Sequence, residues 1–244
     1  MAGQIYNARM DKRTKPPVGK IRVTPAPQTR ADQILTLLKT MYPDAHCALN
    51  HRSAWELLVA TILSAQCTDV RVNMVTPALF KRFPDAPSFA TAELADIEHL
   101  IKSTGFFRAK AKAIQHTARQ LVALHGGQVP ESMEELTALR GVGRKTANVV
   151  LGNAFGKQVG IVVDTHVGRL SRRLGLSRHE DPEKVENDLM RLIPQDHWTL
   201  FSHLLISHGR AICAARKPEC DKCRLSALCP AAFKPDRGRG KSAV

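Results

Sequence analysis

The chain runs to 244 residues, 43% of them hydrophobic and 5% aromatic, with a formal charge of +14. That length and apolar fraction exclude a disordered chain and allow one large core or two modest ones. The longest apolar runs, such as "LLVATIL" and "IVV", fall far short of a membrane span, and the polar start "MAGQIYNARMDKRTK" lacks a signal-peptide core, so a soluble intracellular protein with no membrane contact is expected.

The charge is unevenly spread. Residues 1–30 carry seven Lys/Arg against one acid, and residues 231–244 carry four against one, leaving +5 for the 200 residues between them. Residues 1–29, rich in proline, read as a flexible basic arm, and 231–244 as a basic tail. Solvated ends explain most of the excess, so only a localised patch in the body argues for a polyanionic partner.

In chain order, helices are predicted over 30–41, 54–65, 69–82, 92–103, 107–124, 132–138, 143–154, 165–174, 182–193 and 196–212. Ser53 with Glu56 and Ser132 with Glu135 have capping-box spacing, and Asp181–Pro182 pairs an N-cap with a first-turn proline. Gly105, Gly126, Gly156 and Gly175 fall where helices should stop. "VGIVVD" is the one β-like run and is too isolated for a sheet, so the class is all-α.

The stretch "LRGVGRKTANVVLGNAFG", 139–156, carries the first chemical signal. Helix 132–138, the turn "RGVG" and helix 143–154 make a helix-hairpin-helix, in which Gly141 and Gly143 let the backbone turn and expose its amides. Amides at a helix N-terminus form an anion site, which Arg144 or Lys145 would complete as a phosphate clamp; the bland alternative is an αα-hairpin turn with two surface cations. Two cations there oppose the helix dipole, so a negative group is expected nearby. Beside Arg144 and at the positive helix end, the ammonium of Lys145 is disfavoured relative to that of a free lysine, so more of it would be the neutral amine, and Lys145 is alternatively a nucleophile.

In "IVVDTHVGRLSRRLGL", Asp164 stands at the start of a helix. It is a natural N-cap, and if it faces Lys145 the same rigid carboxylate would shuttle protons or stabilise a cationic sugar-like transition state. His166, two residues on, either lines that site or is a partly buried structural histidine.

Four of the six cysteines, Cys213, Cys220, Cys223 and Cys229, show C-x6-C-x2-C-x5-C spacing. In an intracellular chain that is a metal-ligand set rather than a disulfide framework. The spacing fits a [4Fe–4S] cluster better than a paired zinc knuckle, with a four-thiolate zinc site left open. Cys47 and Cys67 read as core thiols. His197, His203 and His208 are spaced six and five apart, which scatters them round a helix and argues against a metal site; Trp198, Phe201, Leu204 and Leu205 read as core.

Taken together and in order, "LSAQCTDVRVN", the hairpin stretch, "VDTHVGRLSRRLGL" and the cysteine tail resemble the endonuclease III family of bifunctional DNA glycosylases, within the helix-hairpin-helix superfamily, over roughly 30–230. The resemblance implies a two-domain all-α fold, a six-helix barrel over 47–157 and a cluster domain combining 30–46 with 158–230, with DNA between them. It implies a monomeric, cytoplasmic and nucleoid-associated repair enzyme that removes oxidised pyrimidines from duplex DNA. Lys145 would attack C1′ and form a Schiff base, Asp164 would assist, and β-elimination would cut 3′ to the abasic site. The base must leave the stack for this.

By the same resemblance, Gln66 would fill the gap left by the flipped nucleotide, and Phe106 would stand at the wedge position, where leucine is common. Phe106 is alternatively a core aromatic at a helix C-terminus. Asp69 reads as a helix cap near the site. Arg216 and Lys217, between the first two cysteines, would make a second phosphate-binding loop, weakened by Glu219 beside them. The rivals are a monofunctional mismatch glycosylase, which lacks a lysine at the nucleophile position, and a non-catalytic DNA-binding module with structural zinc.

Overall fold

A computed structural model describes residues 26–234, so most of the basic arm and tail, 1–25 and 235–244, lies outside the described residues. The described residues hold eleven α-helices and no strand. The first, α1 (Pro27–Met41), starts earlier than expected. Pro27 takes the opening position, where a missing N–H costs nothing, and so residues 27–29 belong to a helix rather than to the arm.

Seven helices follow in the first core: α2 (Ala54–Leu63), α3 (Asp69–Arg82), α4 (Ala86–Thr91), α5 (Leu94–Ile101), α6 (Phe107–His125), α7 (Met133–Ala138) and α8 (Arg144–Ala154). Their inward faces bury Leu57, Leu58, Phe89, Ile97, Ile114 and Leu121 completely. A second core joins α1 to α9 (Thr165–Arg173), α10 (Pro182–Leu192) and α11 (Trp198–Ala211), around Ile34, Leu38, Leu170, Leu189, Phe201 and Leu205. Trp198 and Leu204 are buried there as expected. The run "VGIVVD" belongs to no helix or sheet; it carries Ile161 into the second core and ends at α9.

Helix α4 was missed by the sequence pattern because six residues show less than two turns of periodicity. Its start is nevertheless well marked, with Asp85 and Ser88 exchanging side-chain and backbone bonds in a full capping box. The boxes expected at Ser53 and Ser132 are only half made. Ser53 accepts from Glu56 N–H at 3.2 Å, but the Glu56 carboxylate accepts from Arg52 N–H at 2.7 Å instead of closing on Ser53. Ser132 accepts from Glu135 N–H and donates its hydroxyl to the Glu135 carboxylate at 2.6 Å. Helix α5 ends at Ile101 and tightens into a 3-10 turn over Lys102–Thr104, shorter than the continuous 92–103 helix predicted.

Helix α8 belongs to both halves, touching α2 and α7 on one side and α11 on the other. Glycine makes the second contact possible, since a Cβ at Gly152 would collide with Thr199 of α11. The N-terminal end of α8 reaches the second half as well, through an ion pair from Arg144 to α10, and so sits at the junction of the two cores. That is where the hairpin turn and Lys145 are held.

Candidate active site

The hairpin turn is pinned from below. Leu139 and Val142 are buried, and α6 holds the backbone of Arg140 at both ends: Arg140 N–H donates to Gln120 Oε1 at 2.8 Å, and its carbonyl accepts from Thr117 Oγ1 at 3.0 Å. Gly141 has φ +83°, which favours glycine, whereas Gly143 is extended at φ −89°. The second glycine matters for a different reason. As the N-cap of α8 it makes no side-chain cap bond, and a Cβ there would meet open space, so the first-turn amides stay available to an anion.

The negative group expected near Arg144 is Glu186 of α10. Its buried carboxylate accepts from Arg144 Nε at 2.7 Å and Nη2 at 3.0 Å, and from Asn148 Nδ2 at 2.9 Å. This hydrogen bonding holds the Arg144 guanidinium above its usual pKa. Two of the three guanidinium nitrogens of Arg144, Nε and Nη2, are thus committed to Glu186. Glu186→Ala is expected to cost about 2–3 kcal/mol in urea unfolding, because it strands Asn148 and Arg144 without their shared acceptor.

Lys145 is exposed, and with Asp164 it lines two neighbouring clefts. Asp164 is the N-cap of α9 and accepts from Val167 N–H at 2.8 Å through one carboxylate oxygen. Capping and facing the lysine's cleft are therefore compatible. The deeper cleft, of about 720 Å³ including its open mouth, brings Asp69, expected near the site, together with groups that no sequence motif places there: His203, Ser207 and Arg210. They come from α3 and α11, more than a hundred residues apart, and nothing local in the sequence joins them.

Two expectations change here. Asp69 is not the cap of α3; Thr68 is, accepting from Arg71 N–H, while Asp69 in the first turn takes an ion pair from Arg210 across the cleft. His166 lines neither cleft. It packs against Gly209 of α11 with Nδ1 3.2 Å from the Arg169 guanidinium, and burial pushes its pKa down, as the structural alternative expects.

His203 is half-buried, with Nε2 2.7 Å from Asn153 Oδ1, and desolvation, aided by His46 and Arg210, pushes its pKa down to about 4. In the unfolded chain the ring takes a proton near its ordinary 6.5, so the stabilisation from its neutral form is full above that pH and is lost as pH falls towards 4. Between pH 6.5 and 5 this removes up to about 2 kcal/mol of unfolding free energy. His203→Gln is expected to flatten that part of the stability–pH curve, measured by urea unfolding.

Gln66 and Phe106 share an uncommon feature. Both are exposed, non-glycine residues in left-handed backbone, at φ +53° and +47°. Phe106 is 68% exposed at the start of α6, so it is not a core aromatic. Non-glycine residues in that region cost energy unless their surroundings enforce it, and such strain collects at functional loops.

The four cysteines Cys213, Cys220, Cys223 and Cys229 are half-buried free thiols lining one cavity of about 510 Å³ beside Leu170, Leu174 and His208. Among the described residues no three His, Cys, Asp or Glu converge closely enough to hold a single metal ion. Burial, reinforced by the neighbouring cysteines, pushes the Cys223 and Cys229 thiols up. Arg173 builds the loop after Cys213: it donates to the Ala214 and Ala215 carbonyls at 2.8 and 2.7 Å and to Cys213 Sγ at 3.4 Å. Arg216 and Lys217 stand exposed on that loop. The Glu219 carboxylate is taken by Lys222 at 2.6 Å, so the charge expected to weaken the loop is directed elsewhere. Cys47 and Cys67 are half-buried and pack against the first core; Cys47 also lines the deeper cleft.

No helix among the described residues is long and apolar enough to cross a membrane. The sequence profile of the HhH-GPD superfamily base excision DNA repair proteins matches residues 59–195. The chain is 57% identical over 212 residues to endonuclease III of Synechocystis sp., covering 87% of this chain and 97% of that one, and 41% identical over 197 residues to the Escherichia coli enzyme, covering 81% and 93%. It superposes with TM-score 0.80 and 43% identity on a trapped endonuclease III–DNA covalent intermediate, an estranged-adenine complex, covering 84% of this chain and 96% of that one. A thermostable thymine-DNA glycosylase at 24% identity and TM-score 0.76 shares the fold. With its hairpin, its lysine and aspartate on one cleft and its four-thiol cavity, the chain belongs to the endonuclease III family within the HhH-GPD superfamily of base excision DNA repair proteins.

Proposed function

We infer that this chain is a bifunctional DNA glycosylase and abasic-site lyase that acts on oxidised pyrimidines in duplex DNA. The observation that carries the reading is Lys145 beside the open amides of the hairpin, with Asp164 on the same clefts. Phosphates docked on those amides set the backbone of one nucleotide over the lysine. C1′ is out of reach inside a closed duplex, so the nucleotide must be extruded, and Gln66 and Phe106 enter the space it leaves.

Lys145 Nζ then attacks C1′, and the bond from C1′ to the base breaks with its electron pair leaving on the base. Asp164, fixed by its cap bond, stabilises positive charge developing on the sugar and takes the proton that the attacking amine loses. Opening of the sugar ring gives an iminium between Nζ and C1′. Loss of a C2′ proton then expels the 3′ phosphate oxygen, which cuts the strand 3′ to the lesion. The deeper cleft supplies donors and acceptors from Asp69, His203, Ser207 and Arg210 for the edge of the extruded base.

Cys213, Cys220, Cys223 and Cys229 would hold a [4Fe–4S] cluster. The shared cavity and the ligand spacing support this, and the cluster would tie Cys213, just beyond α11, to Cys220, Cys223 and Cys229 of the C-terminal segment, packed against Leu170 and Leu174. Arg173 shapes the adjoining loop so that Arg216 and Lys217 face solvent, ready for a second phosphate. The two hydrophobic cores support a division into a barrel over 47–157 and a cluster domain of 30–46 with 158–230. The enzyme works as an intracellular monomer on DNA.

The test is borohydride reduction of the protein with a duplex carrying one thymine glycol or one abasic site, read on a denaturing gel. A covalent protein–DNA adduct is expected. Intact DNA binding without an adduct would instead indicate a monofunctional glycosylase or a bare binding module. Iron and labile sulfide in equal amounts are expected in the purified protein, and zinc in their place would overturn the cluster.

A further inference from the structure

Lys110 is a buried cation that the reaction does not use. It lies in the first turns of α6 and is 6% exposed, whereas the other lysines among the described residues face solvent. Its ammonium donates to the Leu63 carbonyl at 2.8 Å and to the Thr104 carbonyl at 2.8 Å. Leu63 is the last residue of α2, and Thr104 is the last residue of the 3-10 turn before α6. Carbonyls at helix ends have no partner in their own helix, and a cation placed between two of them satisfies both.

The contact matters because of the loops that leave these two carbonyls. Gln66 stands three residues beyond Leu63 and Phe106 two residues beyond Thr104, and they are two of the three non-glycine residues with positive φ among the described residues. One ammonium thus fixes the take-off points of two strained, exposed loops that are forty residues apart in sequence. Burial lowers the pKa of Lys110, so a lysine is held here against its own solvation preference.

We propose that Lys110 is a positioning residue for base extrusion: by tying the ends of α2 and the 3-10 turn together it sets the spacing at which Gln66 and Phe106 enter the duplex. The proposal rests on the insertion roles given above to those two residues. Without the tie, each loop keeps its chain connections but their spacing relaxes, and insertion of both at one step of the helix loses its alignment. Chemistry at Lys145, once a nucleotide is already out of the stack, does not need that alignment.

The experiment compares single-turnover excision of thymine glycol from a fully paired duplex with excision from the same strand when the lesion faces an abasic analogue and is already unstacked. A 2-aminopurine next to the lesion reports unstacking directly. Lys110→Met, which keeps the length and removes the donors, is expected to lower the paired-to-unstacked rate ratio about tenfold and to delay the 2-aminopurine signal by a similar factor. Lys110→Arg keeps the charge but widens the head between the two carbonyls, and is expected to change the ratio in the same direction by less. Equal losses on both substrates, or no loss on either, in whichever variant retains a cooperative unfolding transition would overturn the proposal. A wild-type protein that releases no base from either substrate would overturn the functional reading itself, and so the two failures are separable.

Discussion

Lys145→Gln is expected to give no borohydride-trapped adduct and to slow strand cleavage by at least about 10³-fold, while binding to an abasic-site duplex changes little. The reason lies in how the lysine is held. It is exposed at the first turn of α8, so its loss opens no cavity, and the fold should remain intact. The phosphate contacts assigned to the hairpin come from backbone amides, which the substitution leaves in place. What disappears is the one amine on the clefts that also carry Asp164, and without a nitrogen at C1′ there is no iminium to reduce or to drive β-elimination. Undiminished cleavage by the variant would move the nucleophile elsewhere. A loss of binding as large as the loss of cleavage would make Lys145 a phosphate contact instead.

The hairpin, the lysine, the aspartate and the four cysteines were legible in the sequence because each is a local signal. A turn chemistry, a cap before a helix and a ligand spacing all fit within twenty residues. The partner of Arg144 was legible only as a sign: two cations at a positive helix end require an acid, but Glu186 lies forty-two residues away on another helix. Separation in sequence also hid Arg210, 141 residues from Asp69, whose pairing with it turns an apparent cap into part of a cleft wall, and Lys110, which reads as one more basic residue on a charged helix. Phe106 shows the opposite case. Its neighbourhood in the sequence allowed a core aromatic or an exposed wedge, and only the left-handed turn at the start of α6 decides for exposure.

Asp164 poses the sharper test, because it has a structural task that any substitution must be separated from. Its carboxylate caps α9 through Val167 N–H, and asparagine caps a helix about as well as aspartate does. Asp164→Asn should therefore keep the unfolding free energy within about 0.5 kcal/mol and DNA binding within about threefold. Base excision is expected to slow by about 10²-fold, since the neutral amide neither stabilises the cationic sugar nor takes the proton from the amine. Asp164→Ala should show a similar loss of rate together with about 1 kcal/mol of destabilisation from the missing cap. Single-turnover rates and urea unfolding on the two variants separate charge from cap. If the asparagine variant turned over at the wild-type rate and only the alanine variant suffered, the carboxylate would be a helix cap alone, and Lys145 would need another proton acceptor on its clefts.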